Sequence, residues 1–126
     1  MYINSIASTN VGTIRQNNED NFYLCGQYRA DTDTPSMTCT FDEKRERYLF
    51  GVCDGMGGEA NGELASLIAV RLFDEYAGDF KDSVERYVEQ ANAEICSEIE
   101  RRGGKRMGTT FAALEIAEGK AFAYNI

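Results

Sequence analysis

The sequence predicts an α+β domain. Apolar residues recur at helical spacing over residues 59–76 and 82–102, and they alternate with small or polar residues over residues 48–54 and 109–126. The first pattern is typical of amphipathic helices that bury one face, and the second is typical of β-strands. A chain of 126 residues with 43% hydrophobic content is also large enough to bury a core.

Two helices are expected in the middle of the chain. The first is predicted from about residue 59 to residue 76, ahead of Gly78. The second is predicted to begin near Asp82, which forms a capping-box pattern with Glu85, and to end at Gly103-Gly104. Their apolar stripes are typical of core packing: Leu64, Leu67, Ile68, Leu72, Phe73 and Tyr76, then Val84, Val88, Ala91, Ile95 and Ile99.

The strands are predicted on both sides of these helices. Residues 48–54 have the pattern of a central strand with both faces covered. Glu118-Gly119 between residues 109–116 and 120–126 is a tight-turn signal, which predicts a hairpin. The remaining strands are a weak edge strand at residues 1–8, a compact strand at 22–25, and a short strand at 37–41 within a long excursion over 26–46.

Composition excludes several classes of function. The formal net charge of −8 argues against nucleic acid as a partner, because phosphate backbones bind Lys and Arg surfaces. The absence of histidine removes imidazole from every catalytic or metal-binding scheme. No membrane-spanning run or charged apolar leader is recognised, and the four cysteines form no Cys-x-x-Cys pair, so we expect a cytoplasmic protein with reduced, buried thiols and no membrane partner.

The most informative stretch is residues 49–58, Leu-Phe-Gly-Val-Cys-Asp-Gly-Met-Gly-Gly. Its apolar strand carries Asp54 to the strand's end, where a buried scaffold would fix the carboxylate and solvent could reach it. A carboxylate next to the bare carbonyl of Gly55 is an oxygen-rich corner suited to Mg²⁺ or Mn²⁺. An ordinary strand-to-helix turn with Asp54 as a cap explains these residues equally well.

A second charged group precedes the compact strand. If the strands are neighbours, Glu19 and Asp20 would join Asp54, and carboxylates so close repel unless a cation lies between them. The guanidinium of Arg15 suits the paired oxygens of a phosphate. Divalent metals with one arginine are suited to phosphate-ester hydrolysis. The alternative is a surface ion pair of Arg15 with Glu19 and a turn capped by Asp20.

Three motifs follow one another in the chain: Gly-Thr-Ile-Arg-Gln-Asn-Asn-Glu-Asp-Asn at residues 12–21, Phe-Gly-Val-Cys-Asp-Gly-Met-Gly-Gly at 50–58, and Gly-Thr-Thr at 108–110. In their order and spacing the chain resembles the metal-dependent Ser/Thr protein phosphatases of the PPM, or type 2C, family. The Asp-Gly-Met-Gly-Gly wording is similar to bacterial members. The resemblance covers this chain from end to end but only about the first half of the family's domain.

The resemblance implies a fold, a metal site and a substrate. The fold would be a sandwich of two antiparallel sheets flanked by antiparallel helix pairs. Asp54 would bridge two Mn²⁺ or Mg²⁺ ions, Gly55 would offer its carbonyl oxygen to one of them, and Glu19 and Asp20 would hold metal-bound waters. Arg15 would bind the substrate phosphate, and Thr109 and Thr110 would support the site. The expected partners are phosphorylated Ser/Thr proteins, a cognate kinase among them.

The chain also departs from the family's pattern. Met56 stands where many eukaryotic members have histidine, and a thioether cannot shuttle a proton. The last strand is still running at Ile126, where the family continues to its later metal-binding aspartates. We therefore expect residues 1–126 to be the N-terminal part of one phosphatase domain, with weak or absent metal binding, no activity alone, and self-association through the open strand edge.

Two further hypotheses remain beside the phosphatase. One is a pseudophosphatase-like module that keeps the sandwich and binds a regulator. Retention of the four charged residues favours the enzyme, because a pure scaffold has no need of them. The other is a Gly-rich nucleotide-binding loop, which is weak because no Gly-Lys-Ser/Thr follows Gly58.

Overall fold

The computed structural model describes residues 1–57 and 61–126, which form seven strands and two helices. In chain order these are β1 (Tyr2–Asn10), β2 (Asp20–Leu24), β3 (Ser36–Lys44), β4 (Arg47–Met56), α1 (Gly62–Glu75), α2 (Phe80–Arg101), β5 (Gly108–Thr109), β6 (Ala112–Ala117) and β7 (Lys120–Asn125). Gly58 and the predicted helix start at Glu59 lie outside the described residues.

The strands form two antiparallel sheets. In the larger sheet the order is β2-β4-β6-β7, and the short β5 pairs with the end of β4. The smaller sheet consists of β1 and β3, which pair along nine residues each. That pairing explains why β3 is longer than the short strand predicted at residues 37–41. The predicted fold class, an α+β arrangement of two antiparallel sheets with flanking helices, is confirmed.

Two apolar clusters hold these layers together. The larger cluster lies between the five-stranded sheet and the helices, and Phe73 of α1 contacts the rings of Tyr23, Phe80, Tyr87 and Phe111 within it. The smaller cluster lies between the two sheets and contains Phe22, Leu24, Cys25, Cys39, Phe41 and Tyr48. The central strand β4 contributes to both clusters, so its position is fixed from two sides.

The prediction that both faces of the central strand are covered is wrong at its far end. Val52 is 60% exposed, because the two-stranded sheet covers β4 at its Tyr48 end and leaves the far end open. In β6 the face of Ala113, Glu115 and Ala117 is the buried one, whereas Leu114 is 37% exposed. The predicted turn itself is present, since Glu118 and Gly119 both have positive φ, as a type I′ turn requires.

A buried carboxylate lies on the inner face of β6. Glu115 is 1% exposed, forms an ion pair with Arg47 of β4, and accepts a hydrogen bond from the Tyr124 hydroxyl of β7. A buried charge persists when it is paired and hydrogen-bonded. These partners come from two other strands, so the sequence pattern of β6 gives no sign of them.

Helix α2 begins earlier than predicted. Its first residue is Phe80, the N-cap is Asp79, and the Ser83 hydroxyl donates to the Asp79 carbonyl oxygen, so the Asp82–Glu85 capping box is wrong. Phe80, Ser83 and Tyr87 are its deepest side chains together with Ala91. The remaining predicted residues, Val84, Val88, Ile95 and Ile99, are partly buried against the same cluster.

Neither helix in the described part of the chain is long and apolar enough to cross a membrane. The cysteines are all free, and Cys25, Cys39 and Cys53 are buried. Cys96 was expected to be buried but is exposed, because it lies on the solvent side of α2.

We predict that Cys96 is the fast-reacting thiol of the native chain. Burial raises the pKa of Cys25 and Cys39, and it raises that of Cys53 to about 12, so these thiols stay protonated and covered. With Ellman's reagent at about pH 8, one thiol per chain should react rapidly and the other three only after denaturation. The Cys96→Ser variant should lose the fast phase, and its persistence would contradict the assignment.

Candidate metal centre

The site is built on one cross-strand pair. Asp20, the first residue of β2, lies directly opposite Asp54 of β4 in the antiparallel register. Side chains opposite one another in such a pair project from the same face of the sheet and lie close together. Both aspartates are exposed to solvent. The predicted proximity of Asp20 to Asp54 is therefore present in the structure.

The main chain of Asp54 is held by the segment after α2. The amide of Thr110 donates to the Asp54 carbonyl oxygen at 2.9 Å, and the Thr109 hydroxyl donates to the same oxygen at 3.1 Å. In return the Asp54 amide donates to the Thr110 hydroxyl at 3.1 Å. The two threonines thus fix the end of β4 from the side opposite β2, which is the supporting position the resemblance implied.

The neighbouring Gly55 has room for no side chain. A Cβ atom built on it would lie 2.2 Å from the Gly62 carbonyl oxygen and 2.4 Å from the Glu19 carbonyl oxygen. The Gly55 amide also donates to that Glu19 oxygen at 3.2 Å. Glycine is needed here because it lets the start of α1 and the turn before β2 close onto β4.

The four predicted charged residues line one cavity. Arg15, Glu19, Asp20 and Asp54 surround a volume of about 200 Å³ together with Asn10, Val11, Asn17 and Asn18. The carboxyl group of Glu19 lies against Gly62, so close that a Cβ on Gly62 would come within 2.8 Å of it. Within residues 1–57 and 61–126, no three or more His, Cys, Asp or Glu side chains are grouped to hold a metal ion. The closely opposed carboxylates are therefore a pair, Asp20 and Asp54, with Glu19 beside them.

Sequence reasoning missed the residues that fix the acidic turn. Asn18 is buried, its side-chain oxygen accepts the Asp20 amide at 3.0 Å, and its amide group donates to the Pro35 carbonyl oxygen at 3.1 Å. Asn21 is buried as well and bonds the main chain of Arg29 in both directions. The asparagines could have been suspected from the turn-prone run at 16–21, whereas Arg29 carries no local signal.

The pair is electrostatically strained as it stands. Partial burial raises the pKa of Asp20, and the Asp54 carboxylate raises it further, while the guanidinium groups of Arg29 and Arg15 act in the opposite direction. A carboxyl whose pKa is raised by a like charge is more stable when a cation compensates that charge.

The chemistry of these donors fits a hard divalent cation. The two opposed side chains offer carboxylate oxygens, and the neighbouring thiol of Cys53 is buried on the opposite face of β4. Oxygen ligands of this kind suit Mg²⁺ or Mn²⁺. Asp20, Asp54 and Glu19 are the residues that would hold such an ion, directly or through water.

Comparisons with known proteins agree with this geometry. No family model matches the chain. A serine/threonine phosphatase stp of Listeria innocua is 28% identical over 94% of this chain and 44% of its own length. The serine/threonine protein phosphatase PstP of Mycobacterium tuberculosis is 28% identical over 88% of this chain and 19% of its own length.

Solved structures cover the whole chain. The crystal structure of M. tuberculosis PstP superposes with a TM-score of 0.69 at 26% identity, over 100% of this chain and 47% of that one. The chain matches the N-terminal half of the type 2C phosphatase domain. A PstP catalytic domain solved in complex with two manganese ions has the same fold, with a TM-score of 0.72 at 24% identity over 49% of its chain.

The match to the type 2C phosphatase domain confirms the resemblance read from three motifs. The resemblance covers only part of these proteins, because the chain spans less than half the length of the Listeria relative and of both PstP structures. The roles of individual residues stay predictions.

We predict that replacing Asp54 stabilises the metal-free chain at neutral pH. Because the pKa of Asp20 is raised in the folded state, repulsion is absent below the ordinary Asp pKa and fully present above the raised one. In EDTA at about pH 7, Asp54→Asn should raise the free energy of unfolding by roughly 0.2–1 kcal/mol, the range for a solvent-screened cross-strand pair. Urea titrations at about pH 7 and about pH 3 check this, since the gain should vanish in acid.

The matched control is Asp33→Asn, which removes one negative charge from an exposed carboxylate outside the cavity. An equal gain in both variants would show that total charge, and not the Asp20–Asp54 pair, is responsible.

Proposed function

We propose that the intact protein is a metal-dependent protein serine/threonine phosphatase, of which residues 1–126 form the N-terminal part of the catalytic domain. The observation that carries the proposal is the convergence of Arg15, Asp20 and Asp54 on one cavity at one end of the larger sheet. The phosphatase relatives of Listeria and Mycobacterium support it.

In this proposal the acidic pair holds the metal. Asp54 would hold the divalent cations, Mn²⁺ or Mg²⁺, together with the Gly55 carbonyl oxygen, and Glu19 and Asp20 would hold them through water. The two manganese ions of the PstP catalytic domain support a two-ion site. A divalent cation in such a site lowers the pKa of a coordinated water and neutralises charge on a phosphoryl group.

Arg15 is proposed to bind the substrate phosphate. It is exposed and lies on the same cavity as Asp20 and Asp54, so its guanidinium can reach a phosphoryl group beside the acidic pair. Arginine keeps its charge at any working pH and presents paired donors to two phosphate oxygens. An anion could therefore approach a chain whose net charge is −8.

The activity belongs to the intact protein in this proposal. Residues 1–126 supply two opposed carboxylates and Glu19, so further ligands from the rest of the domain are required, and the chain alone should be inactive. Met56 is 55% exposed and cannot protonate a leaving group. Phosphoproteins as substrates, a cognate kinase as partner, a cytoplasmic location and self-association of the fragment stay predictions.

We predict that activity depends on both Mn²⁺ and Asp54. With p-nitrophenyl phosphate, the intact protein should be active in Mn²⁺ and inactive in EDTA, and Asp54→Asn should lower kcat/KM at least about a hundredfold because a bridging charge is lost. The 126-residue chain should show no turnover. An unchanged rate in Asp54→Asn would reject the bridging role, and an inactive but folded intact protein would favour the pseudophosphatase module.

We predict that Arg15→Ala mainly weakens phosphate binding. Loss of one charge-assisted, paired contact should raise KM about tenfold, with a smaller fall in kcat. Steady-state kinetics of the intact protein measure both constants. Arg86→Ala is the control, since Arg86 is an exposed arginine of α2 away from the cavity and should leave KM unchanged. Unchanged constants in Arg15→Ala would make Arg15 a surface residue.

A further inference from the structure

Among the residues that the structure describes, Arg29 is the most deeply buried charged side chain near the acidic pair. It is 1% exposed and belongs to the segment between β2 and β3. Its two terminal nitrogens donate to four main-chain carbonyl oxygens. Nη2 donates to those of Asn18 at 2.7 Å and Asp20 at 3.0 Å, and Nη1 donates to those of Thr32 and Thr34 at 3.0 Å each.

These four acceptors belong to two different turns. Asn18 and Asp20 flank Glu19 in the turn that enters β2, whereas Thr32 and Thr34 lie in the turn before β3. Asn21 binds the main chain of Arg29, donating to its carbonyl oxygen at 2.9 Å and accepting its amide at 3.1 Å. The guanidinium therefore clamps the acidic turn onto a second turn that has no direct part in the cavity.

Arg29 binds the main chain at a residue of the acidic pair itself. Asp20 is the first residue of β2, and its carboxylate faces that of Asp54 across the sheet. Like charges opposite one another in a sheet are destabilising, and the end of a strand opens most easily. Arg29 donates a hydrogen bond to the main-chain carbonyl oxygen of Asp20. Its fixed positive charge also lowers the pKa of Asp20, in opposition to Asp54.

We propose that Arg29 is the positioning residue of the metal centre, holding the turn at residues 18–20 in its ion-binding geometry before any cation arrives. It acts through the main chain of Asn18 and Asp20 and touches neither metal nor substrate. The assignment rests on the proposed metal function of Asp20 and Asp54. Without the clamp, repulsion would open the end of β2, and ion binding would have to reorder it.

The shape of the guanidinium matters as much as its charge. Four acceptors on two turns require two nitrogens separated by a rigid planar group, and an ammonium is a single point of donation. Arg29→Lys keeps the charge but can satisfy one turn at a time. Arg29→Met removes both charge and donors at similar length. Opening of the turn at residues 18–20 should therefore increase from wild type to Arg29→Lys, and again from Arg29→Lys to Arg29→Met.

The first test needs no metal. Amide hydrogen exchange of the 126-residue chain in EDTA should accelerate at least about tenfold in Arg29→Met at Asp20 and at Gly55, whose amide binds the Glu19 carbonyl oxygen. The reference is Cys25, which directly follows the other end of β2 and whose amide donates to the Leu49 carbonyl oxygen. Arg47→Met is the matched control, because it removes a guanidinium from the buried Glu115 pair at the far end of β4. Equal local exchange in wild type and Arg29→Met would overturn the proposal.

The second test titrates the intact protein with Mn²⁺ alone, because the proposed site requires further ligands from the rest of the domain. Paramagnetic broadening of the amide signals of Asp20 and Gly55 detects even weak binding, and its midpoint should rise at least about fivefold in Arg29→Met, less in Arg29→Lys, and not in Arg47→Met. Equal shifts of the midpoint in Arg29→Met and Arg47→Met would show that Arg29 contributes only to the overall stability of the fold. That result would overturn the proposal. Absence of selective broadening in the wild type would instead reject the metal centre, while the exchange experiment still decides whether Arg29 orders the turn.

Discussion

The constraint on which this structure depends is the approach of two like charges, Asp20 and Asp54, across the β2–β4 ladder. Left to themselves such carboxylates would separate, so the surrounding contacts must hold both strand ends in place. Thr109 and Thr110 bind the main chain of Asp54, and the Gly55 amide binds the turn that carries Asp20. Side-chain charge is thus opposed by main-chain hydrogen bonds, which do not change when the carboxylates titrate.

These hydrogen bonds are effective because β4 is anchored by packing on both sides. Leu49 and Cys53 belong to the cluster under the helices, and Tyr48 belongs to the cluster between the sheets. Gly51 lets the ring of Phe73 approach so closely that a Cβ there would lie 3.1 Å from it. The apolar interior therefore determines where the strand ends, and with it where Asp54 stands. Stability and site geometry share one element, which is typical of sites at strand ends supported by a rigid scaffold.

The sequence was sufficient for features that are local in the chain. The periodicity of α1 and the turn at Glu118-Gly119 each depend on neighbouring residues, and each is present. Asp54 lies near the end of the central strand, although β4 continues beyond it to Met56. It was insufficient where partners come from distant segments. Glu115 looks like an exposed strand residue until Arg47 and Tyr124 are placed beside it, and Arg29 looks like a loop residue until four carbonyl oxygens converge on it. Alternation cannot predict a buried charge, because burial depends on what the fold supplies as a counterpart.

Local sequence identifies the residues of the site, whereas contacts between distant segments hold those residues in place. The motif at residues 12–21 names Arg15, Glu19 and Asp20, but a motif does not explain why an acidic turn should stay beside another carboxylate in a chain of net charge −8. The explanation lies in a buried guanidinium that neutralises charge from within, on the side away from the cavity, and leaves the carboxylate oxygens facing solvent. A cation entering from solvent then meets the carboxylate oxygens of Asp20 and Asp54 in the cavity that Arg15 also lines. Placing the compensating arginine behind the main chain keeps the acidic pair both ordered and free for ligation.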